Sequence, residues 1–421
     1  MIRGVIVAAL VFAAGVAGAE PLDELGFGAA ATAMANARAA TAVGAEAIHV
    51  DPAAVALATR PEVLLGYQSS LARLSINDRD AKVGDARGTS LGLAIPFDLG
   101  DVRLGAGVGL YLPDAYLARI SVAPMTEPQF TRLATASQRI VVEPVAAIAY
   151  GEFALGAGAS LLADARSRKL AFDVGVIGGA TQGTAEVDVS LPPRIAPLIA
   201  ARWSPARTVD LAATFRGELS LDLALDIDAN VNVPQVVTGT AEIGLRSVHY
   251  FTPMRVAVAA AVEPRDDLLI TAELAWERWS TLGTGVPDLR VLLALDIAPP
   301  LVSQPPPPAD LRDIFTGRLG AEWHTGAMRL RAGAGYLPSP MPPQTGLTSF
   351  ADGARVLTTA GAGVRIAPTA IWRQPIDIDL AIAWQHVAHQ LVHKDMALFP
   401  GGAFSAGGDI VQVGISSTVR L

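Results

Sequence analysis

The chain lacks cysteine, and it carries little charge and few aromatic side chains for its length. Its 421 residues include no Cys, 17% charged residues and 6% aromatic residues. The absence of Cys excludes disulfide bonds and thiolate metal ligands. The net charge is -8, so the chain has no excess of basic residues, and the composition predicts no nucleic-acid partner.

Long hydrophobic runs are also missing beyond the first twenty residues. A membrane-spanning helix needs about 18 consecutive apolar residues, and the richest later stretch, residues 140–162, is interrupted by Glu143, Pro144 and Glu152. Yet 51% of residues are hydrophobic and the mean hydropathy is +0.39, which is high for a soluble protein of this size. The apolar surface must therefore be distributed over shorter elements.

Residues 1–19 are typical of a secretory signal peptide. Arg3 supplies the positive charge, residues 5–16 form the apolar run, and Ala17-Gly18-Ala19 is a small-residue cleavage site ahead of Glu20. The run is too short to span a membrane. We expect an exported chain that begins near Glu20.

Residues 20–60 differ from the rest of the chain in being rich in alanine. The segment opens on Gly26-Phe27-Gly28 and closes on Asp51-Pro52-Ala53. Pro52 bars one uninterrupted helix, and Asp51 is placed to cap the N–H groups beyond the proline. We predict a compact plug of short helices and turns, while composition alone leaves a disordered export spacer open. Apolar anchors argue against the spacer: Phe27, Met34, Ile48, Val50, Val55 and Leu57.

From residue 61 onward, apolar and polar residues alternate with a period of two. Across residues 209–227 every odd position is apolar or glycine, whereas charged residues fall on even positions. Such a segment reads as one long strand with one apolar face. Repeated segments of this kind are typical of a membrane barrel. A soluble all-β protein stays the alternative, because alternation also describes sandwiches.

Short turns and long loops alternate along the same region. The short turns lie at 98–101, 150–152, 204–207, 264–267 and 324–327; the long loops include 111–137, 169–193, 280–309 and 338–352. Periplasmic turns and extracellular loops differ in this way. We predict an all-β fold, a fourteen-stranded antiparallel transmembrane barrel over residues 61–421, with residues 20–60 as a hatch in its lumen. The strands should start near residues 62, 89, 101, 138, 152, 194, 208, 252, 268, 312, 327, 353, 376 and 408.

These residues resemble the FadL/TodX outer-membrane transporters of long-chain fatty acids and other hydrophobic compounds. The stretch from Gly26-Phe27-Gly28 to Asp51-Pro52-Ala53 is similar to that family's hatch, with Asp51 where Asn is usual. Residues 331–340 resemble a late strand of that family, which ends in a Ser-Pro pair, and residues 351–355 with 360–363 resemble the strand that follows it. Residues 275–280 match another recurrent stretch of the family. The resemblance implies a non-enzymatic, monomeric channel in the bacterial outer membrane, inserted by the barrel-assembly machinery. It implies passive uptake of hydrophobic molecules, without cofactor or metal.

The resemblance also implies a route: an outer-loop groove, a barrel pocket, and a sideways exit through a gap in the wall. The outer-loop residues Leu292, Leu293, Leu295 and Ile297 are unusually apolar for an exposed loop, so we expect them to capture ligand. The alternative is that this stretch extends a neighbouring strand.

Three glycines share the lumen face of the third strand: Gly105, Gly107 and Gly109. Glycine often marks a bend or the close approach of another backbone. The family's wall opening is formed by an inward kink in its third strand, so we expect a lateral opening here. Alternatively, the glycines only make room for the plug.

Other functions fit less well. His386, His389 and His393 lie close together in the sequence. In a strand, however, alternate residues point to opposite faces, so only His389 and His393 share a face, and we predict no metal site. The chain has no Gly-x-Ser-x-Gly elbow that would suggest a lipase. The remaining alternative is a structural barrel or a general porin, although an empty water-filled pore would need no plug.

Overall fold

The computed structural model describes residues 26–421 except 82, 115–126, 131, 133–138, 163–164, 167–169, 177–180, 192, 234–236, 283–287, 296–297, 303–309, 347, 369–372 and 395–402. The predicted signal peptide therefore lies outside the described residues. Within these ranges, no helix has the length and hydropathy needed to cross a membrane.

Fourteen antiparallel strands form a closed barrel. They are β1 (Glu62–Ile76), β2 (Ala86–Leu99), β3 (Val102–Pro113), β4 (Val141–Tyr150), β5 (Phe153–Leu162), β6 (Arg194–Ala206), β7 (Val209–Arg216), β8 (Met254–Arg265), β9 (Leu268–Arg278), β10 (Ile314–Thr325), β11 (Met328–Leu337), β12 (Arg355–Ile366), β13 (Ile376–His393) and β14 (Ala403–Arg420). Each pairs with the next, and β1 pairs with β14, with Glu62 opposite Arg420. The predicted strand number and order are confirmed.

The two faces of the wall differ as the alternation predicts. Along β9, Ile270 and Leu274 point outward with exposed fractions of 41% and 52%, whereas Thr271, Glu273 and Ala275 are buried on the inner side. Large apolar side chains are exposed in the same way on other strands, for example Leu155, Ile199, Val258, Leu319, Leu330, Ile382 and Ile415. This apolar outer surface suits a lipid environment.

Tight hairpins join the strands at one end of the barrel. Gly100, Gly151 and Gly326 sit in three of these turns with φ of +83°, +58° and +61°. Glycine adopts positive φ without a Cβ penalty, so these turns can be short. The predicted short turns are confirmed, and the long connections lie at the opposite end.

A second sheet lies at the long-loop end. Seven strands pair in it: Ala165–Arg166, Leu170–Val176, Thr181–Leu191, Leu219–Val233, Val237–Thr252, Asp288–Leu295 and Ala298–Val302. We call these strands the outer sheet. Four smaller elements also lie at this end among the described residues: Arg79–Asp80 beside β1, Gln129–Phe130 paired in parallel with Phe350–Ala351, and the 3-10 turn Trp279–Thr281. This sheet was not predicted from the sequence, since residues 169–193 and 280–309 were expected to form long loops.

The interpretation of residues 209–227 as one lipid-facing strand is wrong. Strand β7 ends at Arg216, the Gly217 N–H donates to the Pro197 carbonyl at 2.8 Å, and the chain then enters the outer sheet. Leu219 and Leu221 are 2% and 0% exposed and pack in a buried apolar cluster. The period of two continues across Gly217, but the strand that follows buries Leu219 and Leu221 instead of presenting them to lipid.

Residues 26–58, which we call the hatch, lie inside the barrel. Their elements are α1 (Ala29–Ala33), α2 (Ala47–Val50) and two 3-10 turns, Gly44–Glu46 and Pro52–Leu57. The Ala29 N–H donates to Ser416 Oγ on β14 at 3.0 Å, and the Ala35 N–H donates to Thr359 Oγ1 on β12 at 3.1 Å. On the other side, Arg202 of β6 donates to hatch carbonyls. The wall therefore surrounds the hatch.

Candidate functional site in the barrel lumen

Glycines on the inner face of the wall form seats for the hatch backbone. A Cβ placed on Gly105 or Gly333 would lie 2.6 Å from the backbone nitrogen of Ala56 or Ala35, and one on Gly156 would overlap the Ala53 nitrogen. No larger residue fits at such distances. Gly156 and Gly333 were not identified from the sequence as contacts of the hatch. They could have been, because each stands at a position of its strand where the side chain points into the lumen.

The three glycines of β3 face the lumen, as predicted, and contact the hatch. Gly107 and Gly109 lie beside Ile48, and Gly109 also lies beside Phe27. Strand β3 pairs along its length with β2, and its residues 102–111 pair in unbroken register with β4. These contacts fit the alternative account, in which the glycines make room for the plug. A lateral opening at β3 stays a prediction.

The other residues proposed for the hatch occupy both of its ends. Gly26 and Gly28 have φ of +84° and +94°, so they shape the turn that presents Phe27 to the apolar core. Asp51 precedes Pro52, and its Oδ1 accepts from the Ala53 N–H at 3.2 Å. The cap predicted from the Asp-Pro pair is therefore present.

Arg202 on β6 ties two parts of the hatch to one point of the wall. Its guanidinium donates to the Ala40 carbonyl at 2.6 Å and to the Ala42 carbonyl at 2.8 Å. The same group lies 3.6 Å from Asp51 Oδ2 and 3.4 Å from Asp210 Oδ2. Because a guanidinium presents several donors in a rigid fork, one side chain can hold both segments.

Burial makes Asp51 sensitive to pH. It raises the pKa of the Asp51 carboxyl from 3.8 to about 7, while the charge of Arg202 and the N–H of Ala53 act in the opposite direction and Asp210 adds to the rise. The seated hatch therefore favours the protonated carboxyl. Its docking free energy is most favourable below the ordinary value of 3.8 and weakens as the pH rises toward about 7.

We expect hatch docking to weaken by up to about 1.4 kcal/mol per pH unit between about pH 4 and 7, and then to level off. Hydrogen-exchange protection factors of the hatch amides, measured in bilayers across this range, would follow the change. Asp51→Asn cannot titrate, so it serves as the control, and its protection should change less with pH. An equal pH response in wild type and Asp51→Asn would contradict this role.

A second polar cluster links the hatch to β4, β5 and β7. The His49 ring Nδ1 lies 3.1 and 3.0 Å from the two carboxylate oxygens of Glu143, and the Ser160 hydroxyl donates to Glu143 at 2.6 Å. Arg216 donates to the His49 carbonyl at 2.9 Å and lies 3.1 Å from Nε2. Since Arg216 can only donate, Nε2 accepts and Nδ1–H donates to Glu143. All four side chains are buried.

The lumen has an apolar side and a charged side. A continuous buried cluster runs from Phe27 and Ile48 in the hatch, past Tyr111 and Leu162 of the wall, to Leu221 in the outer sheet. On the opposite side, ion pairs line β8–β14: Arg255 with Glu273, Arg331 with Asp379, Arg329 with Asp377, and Arg420 with Glu62. Among the described residues this apolar cluster is larger than the other buried apolar clusters, and it connects the hatch, the wall and the outer sheet.

A groove on the outer surface of the wall lies elsewhere. Its volume is about 1030 Å³, and its large lining side chains point outward from the wall, among them Leu155, Trp203, Leu274 and Leu319. Between them the outward residues are small, as at Ala213 and Gly317. We therefore assign it to the lipid-facing surface rather than to the lumen.

The residues proposed for outer-loop capture fall in the outer sheet. Leu292, Leu293 and Leu295 belong to the strand Asp288–Leu295, which pairs with Val237–Thr252. The stretch is therefore strand rather than loop, but the 3-10 turn Trp279–Thr281 separates it from β9, so it is not a simple extension of that strand. Ile297 lies outside the described residues, and ligand capture by this stretch stays a prediction.

Solved structures with the same architecture are channels and transporters. The CymD monoaromatic hydrocarbon channel is 14% identical, with a TM-score of 0.58, over 94% of this chain and 98% of that one. A Pseudomonas aeruginosa FadL homologue is 16% identical, with a TM-score of 0.57, over 97% and 100%. The Ralstonia pickettii toluene transporter TbuX is 16% identical, with a TM-score of 0.53, over 94% and 98%.

No protein-family model and no curated protein sequence matches the chain. At identities this low, the structural similarity establishes the fold. It covers nearly the full length of each protein, and it agrees with the resemblance seen in the hatch and the late strands. The chain therefore has the fold of the FadL/TodX-type outer-membrane channels.

Proposed function

We propose that this protein is an outer-membrane channel for the passive uptake of hydrophobic small molecules, such as long-chain fatty acids or related lipids and hydrocarbons. The observation that carries the proposal is the apolar side of the lumen, which leads from Leu221 in the outer sheet to Phe27 in the hatch. Proteins of the same fold are named as hydrocarbon channels and a toluene transporter. The protein acts as a monomer, without catalysis or cofactor.

A sideways exit into the bilayer completes the proposed route. The hatch contacts the wall on opposite sides, at β6, β12 and β14, so it obstructs a straight path to the short-turn end. Moving an acyl chain into water costs about 0.8 kcal/mol per CH₂. An exit through the wall avoids that cost, because the molecule passes from an apolar lumen directly into lipid.

A general porin and a purely structural barrel are the alternatives. Uptake by the purified protein in vesicles distinguishes both from a channel for hydrophobic molecules. We expect the wild type to speed uptake of a fluorescent fatty acid and of toluene, but not of a disaccharide. A variant lacking residues 20–59 should admit the disaccharide, because the plug is gone. Disaccharide uptake by the wild type would favour a porin, and no uptake above protein-free vesicles would favour a structural barrel.

A further inference from the structure

The groove on the outer surface of the wall follows two rows of outward residues that cross the strands from β5 to β11. Within each row, every residue lies directly opposite the next one on the neighbouring strand. One row begins at Leu155 and ends at Tyr336, and the other begins at Phe153 and ends at Ala334. The small members of the two rows form the floor: Ala201, Ala213, Ala260, Ala272, Gly317 and Ala334.

The groove begins at the short-turn end of the wall and rises away from it. Phe153 is the first residue of β5, close after the short turn at Gly151. Strand β11 starts after the short turn at Gly326, and Tyr336 is its last residue but one. Neighbouring strands in a barrel are staggered, so a row of paired residues climbs along the wall. The groove therefore leads from one membrane interface obliquely into the hydrocarbon layer.

The described lining of the groove presents no charged side chain to the outside. Its ionisable residues Arg202, Glu273 and Arg318 are buried on the inner face of the wall. Above the floor stand apolar side chains such as Val258 and Leu319, with exposed fractions of 55% and 58%. An occupant of the groove therefore gains free energy by burying apolar surface.

The uneven floor favours flexible chains over a second barrel. Two closed barrels present convex walls to each other, and convex walls touch along a narrow strip that leaves a recessed floor empty. Acyl chains can bend around Val258 and Leu319 and still contact the small residues between them. The volume of about 1030 Å³ exceeds that of most pockets for drug-sized molecules, so the groove admits a molecule as large as a lipid.

Charged side chains of both signs lie at the rim where the groove begins. Arg207 is exposed in the β6–β7 turn. The neighbouring turns lie beside it, because the Ser204 N–H donates to the Glu152 carbonyl and the Glu263 N–H donates to the Thr208 carbonyl, each at 2.9 Å. Glu152 and Glu263 are also exposed. A head group that carries one anionic and one cationic group is complementary to this rim.

An aromatic pair lies between the charged rim and the floor. The rings of Phe153 and Trp203 stack with their centroids 5.9 Å apart and an angle of 3° between their planes. Aromatic side chains on the outside of membrane barrels mark the level of the lipid head groups. The charged rim therefore lies at the head-group level, and the floor of the groove lies at the level of the acyl chains.

We propose that the groove binds one phospholipid of the periplasmic leaflet, with its acyl chains along the floor and a head group of phosphate and ammonium at the rim. The short turns of such barrels face the periplasm, so the head group belongs to that leaflet. Arg207 donates to the phosphate, and the carboxylates of Glu152 and Glu263 accept from the ammonium. The site is separate from the lumen and independent of the transported molecule.

Native mass spectrometry tests the site on protein taken from vesicles of equal parts phosphatidylethanolamine and phosphatidylglycerol and washed with detergent. One phosphatidylethanolamine should stay bound to the wild type. Ala260→Phe fills the floor and should lower the lipid-bound fraction about tenfold or more. Ala360→Phe is the matched control, because Ala360 is an exposed alanine on β12 outside the groove, and it should keep the lipid. Equal retention by Ala260→Phe and the wild type would overturn the proposal, and so would a wild type that retains no lipid.

Arg207→Ala tests the head group and leaves the floor intact. It should lower retention of phosphatidylethanolamine about threefold or more, whereas Arg373→Ala, which removes an exposed arginine between β12 and β13, should not. Unchanged retention in Arg207→Ala, or a wild type that prefers phosphatidylglycerol, would contradict the assigned head group. A wild-type dimer that Ala260→Phe dissociates would assign the groove to a second copy of the chain and overturn the lipid site.

Discussion

A Gly156→Val barrel is expected to fold with its hatch displaced. A Cβ at residue 156 overlaps backbone atoms of Pro52 and Ala53, which cannot move aside as a flexible side chain would. Overpacking of this kind costs typically about 1–3 kcal/mol, and each 1.4 kcal/mol is a tenfold change in an equilibrium. Limited proteolysis between residues 26 and 60 should therefore speed up about tenfold or more. The barrel itself should stay compact on unheated gels.

Gly317→Val is the matched control for this substitution. A Cβ at Gly317 meets no atom within 4 Å, because this glycine faces outward from the same wall. The same isopropyl group added there should leave the hatch protected. Equal proteolysis of the hatch in the two variants would show that the close approach at Gly156 does not determine seating.

Leu274→Arg should destabilise the barrel in bilayers by roughly 2–4 kcal/mol. Leu274 lies well inside β9, points outward and is 52% exposed, so a guanidinium there would sit in hydrocarbon. The cost depends on depth, being largest at the midplane and about 0–1 kcal/mol near the interfaces. The measurement is a urea titration of folding into lipid vesicles.

Leu99→Arg provides the depth control. Leu99 ends β2 next to the short turn at Gly100 and is 65% exposed. The same substitution there should cost little, because the charge can reach the interface. Equally small costs at the two positions would place Leu274 outside the hydrocarbon region.

The wall could be predicted from the sequence because each strand shows its two environments locally. Alternation such as Ile270, Ala272 and Leu274 against Thr271 and Glu273 records lipid on one face and the lumen on the other. Turn residues then set the limits of each strand. The same signal failed beyond Gly217, because a strand buried in the outer sheet also alternates, so Leu221 looked lipid-facing.

The candidate site was only partly predictable. The Asp51 cap follows from two adjacent residues, and the β3 glycines follow from their spacing within one strand. The partners of the hatch do not: Arg202 lies 160 residues from Ala42, and Glu143 lies 94 residues from His49. Contacts at such separations are set by how the strands are ordered around the ring, which no local pattern of residues records.

The position of the hatch also has a consequence for how the molecule assembles. The hatch precedes β1, yet Ala29 is held by Ser416 on β14, the strand that closes the ring against β1. Its seat is therefore complete only when strands from opposite ends of the sequence have met. Loop-closure entropy makes such distant pairings slow. We therefore expect closure of the ring and seating of the hatch to be coupled during assembly, because the hatch gains its full set of wall contacts only when β1 and β14 have joined.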